Sequence, residues 1–270
     1  MNIQATKRLT SKYGVFPKKR LGQNFMVDDH FFELMISHAM LTRSDTVLEV
    51  GAGFGLLTRR LAQKAGRVVA VEVDGRLVKA LRRELADLDN VELIEGDVLE
   101  AHIPAFSKVV SNPPFSISSP LLFWLLEKPF ECAVLTFQKE FAKRLDAQVG
   151  SKDYSRLTVS TYCRADVELL DEVPKEAFYP SPDVDAAIVL LKPKKSPPFR
   201  VKEETILNEM LRILFTQRNR KVRKAILTLL HKQGLKDTEA VKKADSLPFM
   251  EKRVRDLSPE DFGALANELS

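Results

Sequence analysis

The chain has few cysteines and no long apolar segment, and each shortage excludes a class of protein. Cys132 and Cys163 are its only two cysteines, too few for a disulfide-stabilised secreted domain. Both lie in apolar runs without the paired spacing or nearby histidines of a metal site. No apolar run approaches the length that crosses a bilayer. We therefore expect a reduced cytoplasmic protein with no metal site and no membrane association.

Acidic residues are slightly outnumbered, and the net charge of +5 makes the distribution of basic residues more informative than their number. A length of 270 residues suits one large domain and a smaller one. The Pro- and Lys-rich segment 192–198 has the composition of a linker. We place the domain boundary there, with a catalytic domain over 1–192 and a helical domain over 193–270.

Apolar segments of strand length alternate with amphipathic segments of helical period over the first half of the chain. Such alternation builds a parallel sheet with helices on both faces. Two further strands are expected around 157–170 and 186–191, without a helix between them. They should pair as an antiparallel hairpin at the sheet edge.

A glycine-rich turn, E-V-G-A-G-F-G at 49–55, follows the first expected strand. A dinucleotide site requires a small residue where Leu56 stands, so a nicotinamide dehydrogenase is disfavoured. The observed form is the one associated with S-adenosylmethionine, with Gly51 and Gly53 in the turn. The next two strands end at Glu72, which can accept both ribose hydroxyls, and at Asp97, which can accept from the adenine amine. Together these strand ends predict a site for S-adenosylmethionine.

The sequence Asn112-Pro113-Pro114-Phe115 follows another short apolar strand. The exocyclic amine of adenine is a poor nucleophile until its nitrogen becomes more tetrahedral. The side-chain oxygen of Asn112 and the carbonyl of Pro113 can each accept one of its N–H groups, which aims the lone pair at a methyl donor. Phe115 would stack on the flipped base. Alone, these residues favour a turn that ends a strand, and only the glycine turn upstream gives weight to methyl transfer.

An aromatic, proline-stiffened loop begins at Phe178. Its prolines fix the backbone, so Phe178 is placed to form a second wall of the base-stacking slot opposite Phe115. The alternative is that Phe178 only anchors the loop on the core. Spacing does not separate these two interpretations.

Two basic segments are candidates for phosphate contact. The first lies near the start of the chain, where we expect an arm that folds over the active site rather than a mitochondrial presequence. The second lies in the helical domain, in a stretch without acidic residues from Arg212 to Gln233 that predicts an unbroken basic surface. The candidate RNA-binding residues are Lys18, Lys19, Arg20, Arg218, Arg220, Lys221, Arg223 and Lys224.

Several motifs in this order and spacing resemble the ribosomal RNA adenine dimethyltransferases. They are K-R-L-G-Q-N-F at 19–25, the glycine turn, the segment 112–120, Q-K-E at 138–140, Y-S-R-L at 154–157, F-x-P-x-P-x-V-D at 178–185 and R-V-R-D-L-S-P-E-D-F at 253–262. The resemblance covers nearly the whole chain. Pro113 departs from the usual leucine and gives the form common in DNA adenine and protein glutamine methyltransferases, although the backbone carbonyl is retained.

The resemblance implies a class I, Rossmann-like methyltransferase with a seven-stranded, mostly parallel sheet, an antiparallel edge strand and a small C-terminal helical domain. It further implies a monomer that dimethylates two adjacent adenosines near the 3′ end of small-subunit ribosomal RNA, within an immature subunit. The expected cofactor-binding residues are Gln23, Asn24, Met26, Gly51, Gly53, Glu72, Asp97, Val98 and Asn112.

Three other functions remain open at this point. A dimethyltransferase of large-subunit ribosomal RNA, of the antibiotic-resistance type, shares the catalytic motifs. A protein glutamine methyltransferase also suits Asn-Pro-Pro-Phe, but it leaves the basic helix unexplained. A mainly non-catalytic ribosome assembly factor is disfavoured by the intact acids at Glu72 and Asp97.

Overall fold

A computed structural model describes residues 3–18 and 21–270, which contain nine strands and eleven helices. The strands are β1 Phe25–Met26, β2 Thr46–Val50, β3 Arg67–Glu72, β4 Val91–Glu95, β5 Lys108–Ser111, β6 Cys132–Gln138, β7 Ala165–Val173, β8 Phe178–Tyr179 and β9 Ala186–Pro193. The helices are α1 Ile3–Tyr13, α2 Asp29–Ala39, α3 Leu56–Lys64, α4 Gly75–Glu84, α5 Ser118–Leu125, α6 Lys139–Lys143, α7 Arg156–Arg164, α8 Glu204–Leu214, α9 Val222–Lys232, α10 Asp237–Ser246 and α11 Pro259–Leu269.

Seven strands form one sheet in the order β4-β3-β2-β5-β6-β9-β7. Strands β2 to β6 are parallel to one another, and β9 runs antiparallel to β6. The predicted class I methyltransferase fold is confirmed. The antiparallel strand β9 lies one position in from the edge, which β7 forms. Because β2, β3, β4 and β5 are parallel, their carboxyl ends meet at one edge of the sheet.

The prediction of a strand from residue 157 was wrong over its first half, because residues 156–164 form α7. A capping box between Ser155 and Thr158 starts this helix. Leu157, Val159 and Thr161 alternate as in a strand and include β-branched residues. The helix is buried on nearly every side, and the buried residues include Thr158, Ser160 and Thr161, so polarity in the sequence does not mark its buried face.

Strands β1 and β8 form a separate two-stranded antiparallel sheet. Phe25 pairs with Tyr179 and Met26 with Phe178, and the Val27 N–H donates to the Ala177 carbonyl at 2.8 Å. This small sheet joins the loop that follows the N-terminal arm to the proline-rich loop. The two segments are about 150 residues apart in the sequence.

The chain divides into two units. The first comprises Met1–Ala142 and Val167–Pro193, and its core packs α2 and α3 on the sheet. The second comprises Lys143–Asp166 and Lys194–Ser270, so it takes in a segment that the sequence analysis placed in the catalytic domain. Within the described ranges, no helix is both long and apolar enough to cross a membrane.

The second unit has its own core, built from α7 and the four C-terminal helices. Tyr154 is fully buried in it, and its hydroxyl donates to the Leu257 carbonyl at 2.7 Å. Helix α11 begins with a capping box between Ser258 and Asp261, with Pro259 in its first turn. The segment 143–166 is therefore an integral part of this helical unit.

Candidate functional site

The glycine turn after β2 can only be made by glycine at its first position. Gly51 has a φ of +77°, a left-handed conformation that side chains disfavour. A Cβ atom there would lie 2.9 Å from the Cδ atom of Pro114. The turn and the Asn-Pro-Pro loop thus pack directly on each other, which brings two motifs of the sequence together.

Ser111 fixes the end of β5 beside the end of β2. Its hydroxyl donates to the Val50 carbonyl at 2.6 Å and accepts the Val50 N–H at 3.1 Å. Asn112 follows directly, and its Nδ2 donates to the Asn24 carbonyl at 3.4 Å. The Oδ1 atom of Asn112 is buried and has no hydrogen-bond partner within the described residues. A buried acceptor left open in this way is costly, so it marks a place where a donor from a ligand fits.

Glu72, at the end of β3, is buried and already bound by backbone. The Gly53 N–H donates to Oε2 and the Asp74 N–H donates to Oε1, both at 2.9 Å. Burial raises the pKa of Glu72, against these hydrogen bonds. The carboxylate is held in one orientation, and each oxygen keeps a lone pair for a ligand hydroxyl.

Glu49 is the most unusual group of the site. It is 2% exposed, and its Oε2 makes no hydrogen bond to any described residue. Burial raises the pKa of this carboxyl to about 8, and the nearby charge of Glu72 acts in the same direction. Thr58 lies close enough to lower this pKa through a hydrogen bond, but burial outweighs it, and the unpartnered Oε2 is suited to a ligand that brings a positive charge or a strong donor.

Three neighbouring cavities open along the carboxyl ends of the parallel strands, and Gly51 lines all three. The first holds Glu49, Met26 and Asn112 among its lining residues. The largest, about 190 Å³, is lined by residues from the ends of β2, β3 and β4 and from the Asn-Pro-Pro loop. The predicted cofactor residues are divided among these cavities: Met26, Gly51, Gly53 and Asn112 in the first, Gln23, Asn24, Gly51, Gly53, Glu72 and Asn112 in the second, and Gly51, Glu72, Asp97 and Val98 in the largest.

Asp74 holds the N-terminal loop beside these cavities. It caps α4 through the Arg76 N–H and accepts from the Gln23 side-chain amide at 3.2 Å. The Arg76 guanidinium keeps the pKa of Asp74 well below its usual range. The Lys18 N–H donates to the Gln23 side-chain oxygen, and the Lys18 amine lies 3.9 Å from Asp74. Lys18 thus lies on the described part of the arm, and Lys19 and Arg20 lie outside the described residues.

Phe115 and Phe178 contact each other edge to face, with ring centroids 5.9 Å apart. Phe178 is 2% exposed and belongs to the core, whereas Phe115 is half-buried and packs on that core. Phe178 is therefore not an open wall of a stacking slot. Its burial favours the alternative that it anchors the loop, and it supports the ring of Phe115 from the side.

The basic segment at the start of α9 is more neutral than its sequence indicates. Lys221 lies 2.5 Å from Glu251, and Arg223 lies 2.6 Å from Asp245. The expectation of an unbroken basic surface was wrong, because folding brings acids from residues 245–251 onto it. A window of contiguous sequence cannot show this.

Arg218 connects two segments of the second unit, the loop before α9 and the loop before α7. Its guanidinium donates to the Ser151 and Lys152 carbonyls, both at 2.6 Å. These bonds take two of the five N–H donors of the guanidinium, so phosphate contact by Arg218 stays a prediction for the donors that remain. Arg220 and Lys224 are exposed, and among the described residues the Arg220 side chain donates only to Gln217, within its own turn.

Three residues of the site were missed by the sequence analysis. Glu49 was named there only as the first residue of the glycine motif. An acidic residue near the end of a buried strand is itself a sign of a binding site. Ser111 and Asp74 act through backbone and side-chain contacts that depend on the register of β5 and the start of α4. No pattern in the sequence carries those contacts.

Comparisons with known proteins agree with this geometry. The sequence profile of the family "Ribosomal RNA adenine dimethylase" matches residues 16–270. A protein from Methanopyrus kandleri, named as probable ribosomal RNA small subunit methyltransferase A, is 45% identical over 268 residues, which are 98% of this chain and 96% of that protein.

Two solved structures are similar over most of their length. A dimethyladenosine transferase from Plasmodium falciparum has a TM-score of 0.76 and 32% identity, and the alignment covers 88% of this chain and 94% of that one. The 23S rRNA methyltransferase ErmE has a TM-score of 0.66 and 31% identity, with 91% and 99% covered. The chain belongs to the ribosomal RNA adenine dimethylase family and is an S-adenosylmethionine-dependent methyltransferase of ribosomal RNA.

Proposed function

We propose that this enzyme dimethylates the exocyclic amines of two adjacent adenosines near the 3′ end of small-subunit ribosomal RNA during ribosome biogenesis. The observation that carries the proposal is the open, buried Oδ1 of Asn112, a residue that lines the same cavity as the glycine turn. Close relatives over nearly the whole chain are named for the small subunit, which supports that choice of substrate. The immature subunit as substrate and a monomeric enzyme remain part of the proposal.

The residues of the turn fit S-adenosylmethionine, which supplies a methyl group on a positively charged sulfur. The unpartnered Glu49 oxygen in the first cavity suits the cationic end of that molecule. Glu72 keeps lone pairs for the ribose hydroxyls, and Asp97 with Val98 lines the largest cavity, where the adenine fits. Gln23, Asn24 and Met26 close the site from the N-terminal loop.

The target amine is oriented by acceptors, and no general base is assigned. Asn112 Oδ1 accepts one N–H of the amine and the Pro113 carbonyl accepts the other, so the lone pair points away from the ring plane. Phe115 stacks on the base, and Phe178 holds Phe115 in place. The methylated nitrogen is acidic enough to release its proton to water.

We assign RNA binding to the second unit and methyl transfer to the first. In the second unit, Arg220 and Lys224 are the residues of the basic segment with the most accessible charge. Lys221 and Arg223 would have to leave Glu251 and Asp245 to reach a phosphate, so their contribution is smaller. Lys18 can add a contact from the arm.

Mapping of methylated positions tests the proposal directly. Small subunits that lack these methyl groups are incubated with labelled cofactor and either the wild-type enzyme or Asn112→Ala. We expect label on two adjacent adenosines near the 3′ end of the small-subunit RNA with the wild type, and a loss on the order of a hundredfold with Asn112→Ala. RNA binding should be unchanged in that variant.

The same assay includes large-subunit RNA and a glutamine-containing peptide. Label on a large-subunit adenosine would show a substrate like the one in the name of ErmE, and label on the peptide would show an amide methyltransferase. Near-normal turnover of Asn112→Ala would refute the orienting role of that residue.

A further inference from the structure

A cavity of about 380 Å³ lies within the second unit and is larger than any of the three at the glycine turn. It is bounded by the end of α7, the start of α8 and the segment 197–201. The proposed methyl transfer does not use it. Its volume lies in the range of pockets that hold small organic ligands.

The wall formed by 197–201 is fixed. Phe199 packs so closely on Gly263 that a Cβ atom there would lie 2.4 Å from its ring. The Asn267 amide donates to the Arg200 carbonyl at 2.8 Å and accepts the Lys202 N–H at 2.7 Å. Because this segment is anchored on α11 at both of these points, the cavity is preformed rather than a gap in a loose linker.

The chemistry of the cavity is that of a site for a planar, polar-edged ring. Phe199 supplies an aromatic surface, and Cys163 and Leu207 supply an apolar floor. Arg164 donates to Glu204 at 2.6 Å, and the Glu204 side chain is 65% exposed. This ion pair places a donor next to the two acceptor oxygens of a carboxylate.

That order of groups, donor then two acceptors, is the one that cytosine presents to guanine. Guanine offers O6 as an acceptor and N1–H and N2–H as donors, so it can make three hydrogen bonds to the pair. Adenine, bound in the flipped orientation, can make only two hydrogen bonds to the pair, through its N1 acceptor and its N6–H donor. Arg200 is exposed at the same cavity and can contact a phosphate.

We propose that this cavity binds an unpaired guanine base of the RNA substrate, with Glu204 and Arg164 reading its Watson–Crick edge and Phe199 stacking on its face. The inference rests on the proposed RNA substrate. It makes the second unit a base-specific reader as well as a phosphate-binding surface.

Binding of GMP to the full-length chain tests the pocket. The cofactor site is first saturated with S-adenosylhomocysteine, so that nucleotides are kept from it, and amide NMR shifts are followed. We expect GMP to shift the signals of residues 163, 164 and 199–201 and to bind more tightly than AMP. Glu204→Gln should weaken GMP binding about tenfold.

Glu203→Gln is the matched control, because it removes the same charge from the adjacent, exposed residue that does not line the cavity. It should bind GMP as the wild type does. Equal binding by the two variants, equal affinity for GMP and AMP, or no shifts around the cavity at millimolar GMP would each overturn the proposal. Melting curves of both variants confirm that they fold.

Photocrosslinking separates an RNA base from a free nucleotide. Small-subunit RNA that contains 6-thioguanosine should crosslink to peptides spanning 163–164 or 197–201, less in Glu204→Gln than in Glu203→Gln. If GMP binds but no crosslink maps to the cavity, RNA is not the source of the base. Neither readout uses methylation, so a failure of the proposed methyl-transfer substrate gives a different pattern of results.

Discussion

At the scale of single residues, the buried acids of the glycine turn link stability to pH. An unfolded Glu49 titrates near 4.5, whereas burial raises its pKa to about 8 in the folded protein. Between these values the folded protein keeps a proton that the unfolded chain loses. Its contribution to stability is therefore present below pH 4.5 and is lost as the pH rises to about 8. The raised pKa of Glu72 acts in the same sense.

Replacement of Glu49 by Gln should remove the part of this pH dependence that comes from Glu49. We expect Glu49→Gln to melt several degrees above the wild type at pH 8 without ligand, with the difference vanishing near pH 4.5. The same variant should bind S-adenosylmethionine about tenfold more weakly or worse, because a charge-assisted contact is lost. Melting curves and calorimetry over pH measure both effects. Glu33→Gln, an exposed carboxyl on α2, is the control, and parallel curves for all three proteins would contradict the assignment.

The two aromatics should separate catalysis from packing. Phe178→Ala should lower the free energy of unfolding by about 3–5 kcal/mol, since it truncates a fully buried ring. Phe115→Ala should lower methylation through loss of about 1–3 kcal/mol of base stacking while it melts nearly as before. Phe115→Tyr should stay active. Large loss of stability in Phe115→Ala would make that residue part of the core as well.

At the scale of elements, parallel strands were predictable and the buried helix α7 was not. Strand ends carry the proposed cofactor ligands Glu72 and Asp97, and chain direction alone decides which ends of a parallel sheet converge. The net charge on the surface at the start of α9 depends on Glu251 and Asp245, which lie far along the sequence. The sequence alone therefore overestimates the positive charge of this surface. The sequence left the role of Phe178 open between base stacking and packing in the core. Its burial depends on how the loop packs, which residue spacing does not show.

Charge reversal within the basic segment should distinguish its members. Arg220→Glu with Lys224→Glu should weaken RNA binding and flatten its salt dependence by roughly 0.7–0.9 log units per lost contact. Lys232→Glu with Lys242→Glu changes the net charge equally elsewhere in the unit and should preserve the slope. Titrations of subunit binding over salt concentration measure this. Identical slopes in both double variants would exclude RNA contact through the start of α9.

At the scale of the whole molecule, the chain crosses between the two units three times, after Ala142, after Asp166 and after Pro193, and the linker composition indicates only the last of these. The first crossing, after Ala142, has no change in composition. It is defined by where Tyr154 and α7 are buried, which is a long-range property. Contact between distant segments cannot be read from local residue types.

A fragment of residues 194–270 should therefore not fold alone. We expect it to show no cooperative melting transition, because it lacks Tyr154 and α7 from its core. Adding a synthetic peptide of residues 143–166 should restore helix content and a transition measured by circular dichroism. The same peptide with Tyr154→Ala is the control and should restore less. Cooperative melting of 194–270 by itself would show that the earlier segment is dispensable.

Because the second unit is built from two separate segments of the chain, its core can form only after both have been synthesised. Of the two segments of the second unit, residues 143–166 leave the ribosome before residues 194–270. The strands of 167–193, which complete the sheet of the first unit, are synthesised between them. The last segment needs on the order of 10 seconds to be synthesised. During that interval the apolar face around Tyr154 and Val159 has no partner. Chaperone binding and aggregation therefore compete for the exposed segment 143–166. We expect substitutions in this segment to lower the yield of folded enzyme more than the activity of each folded molecule.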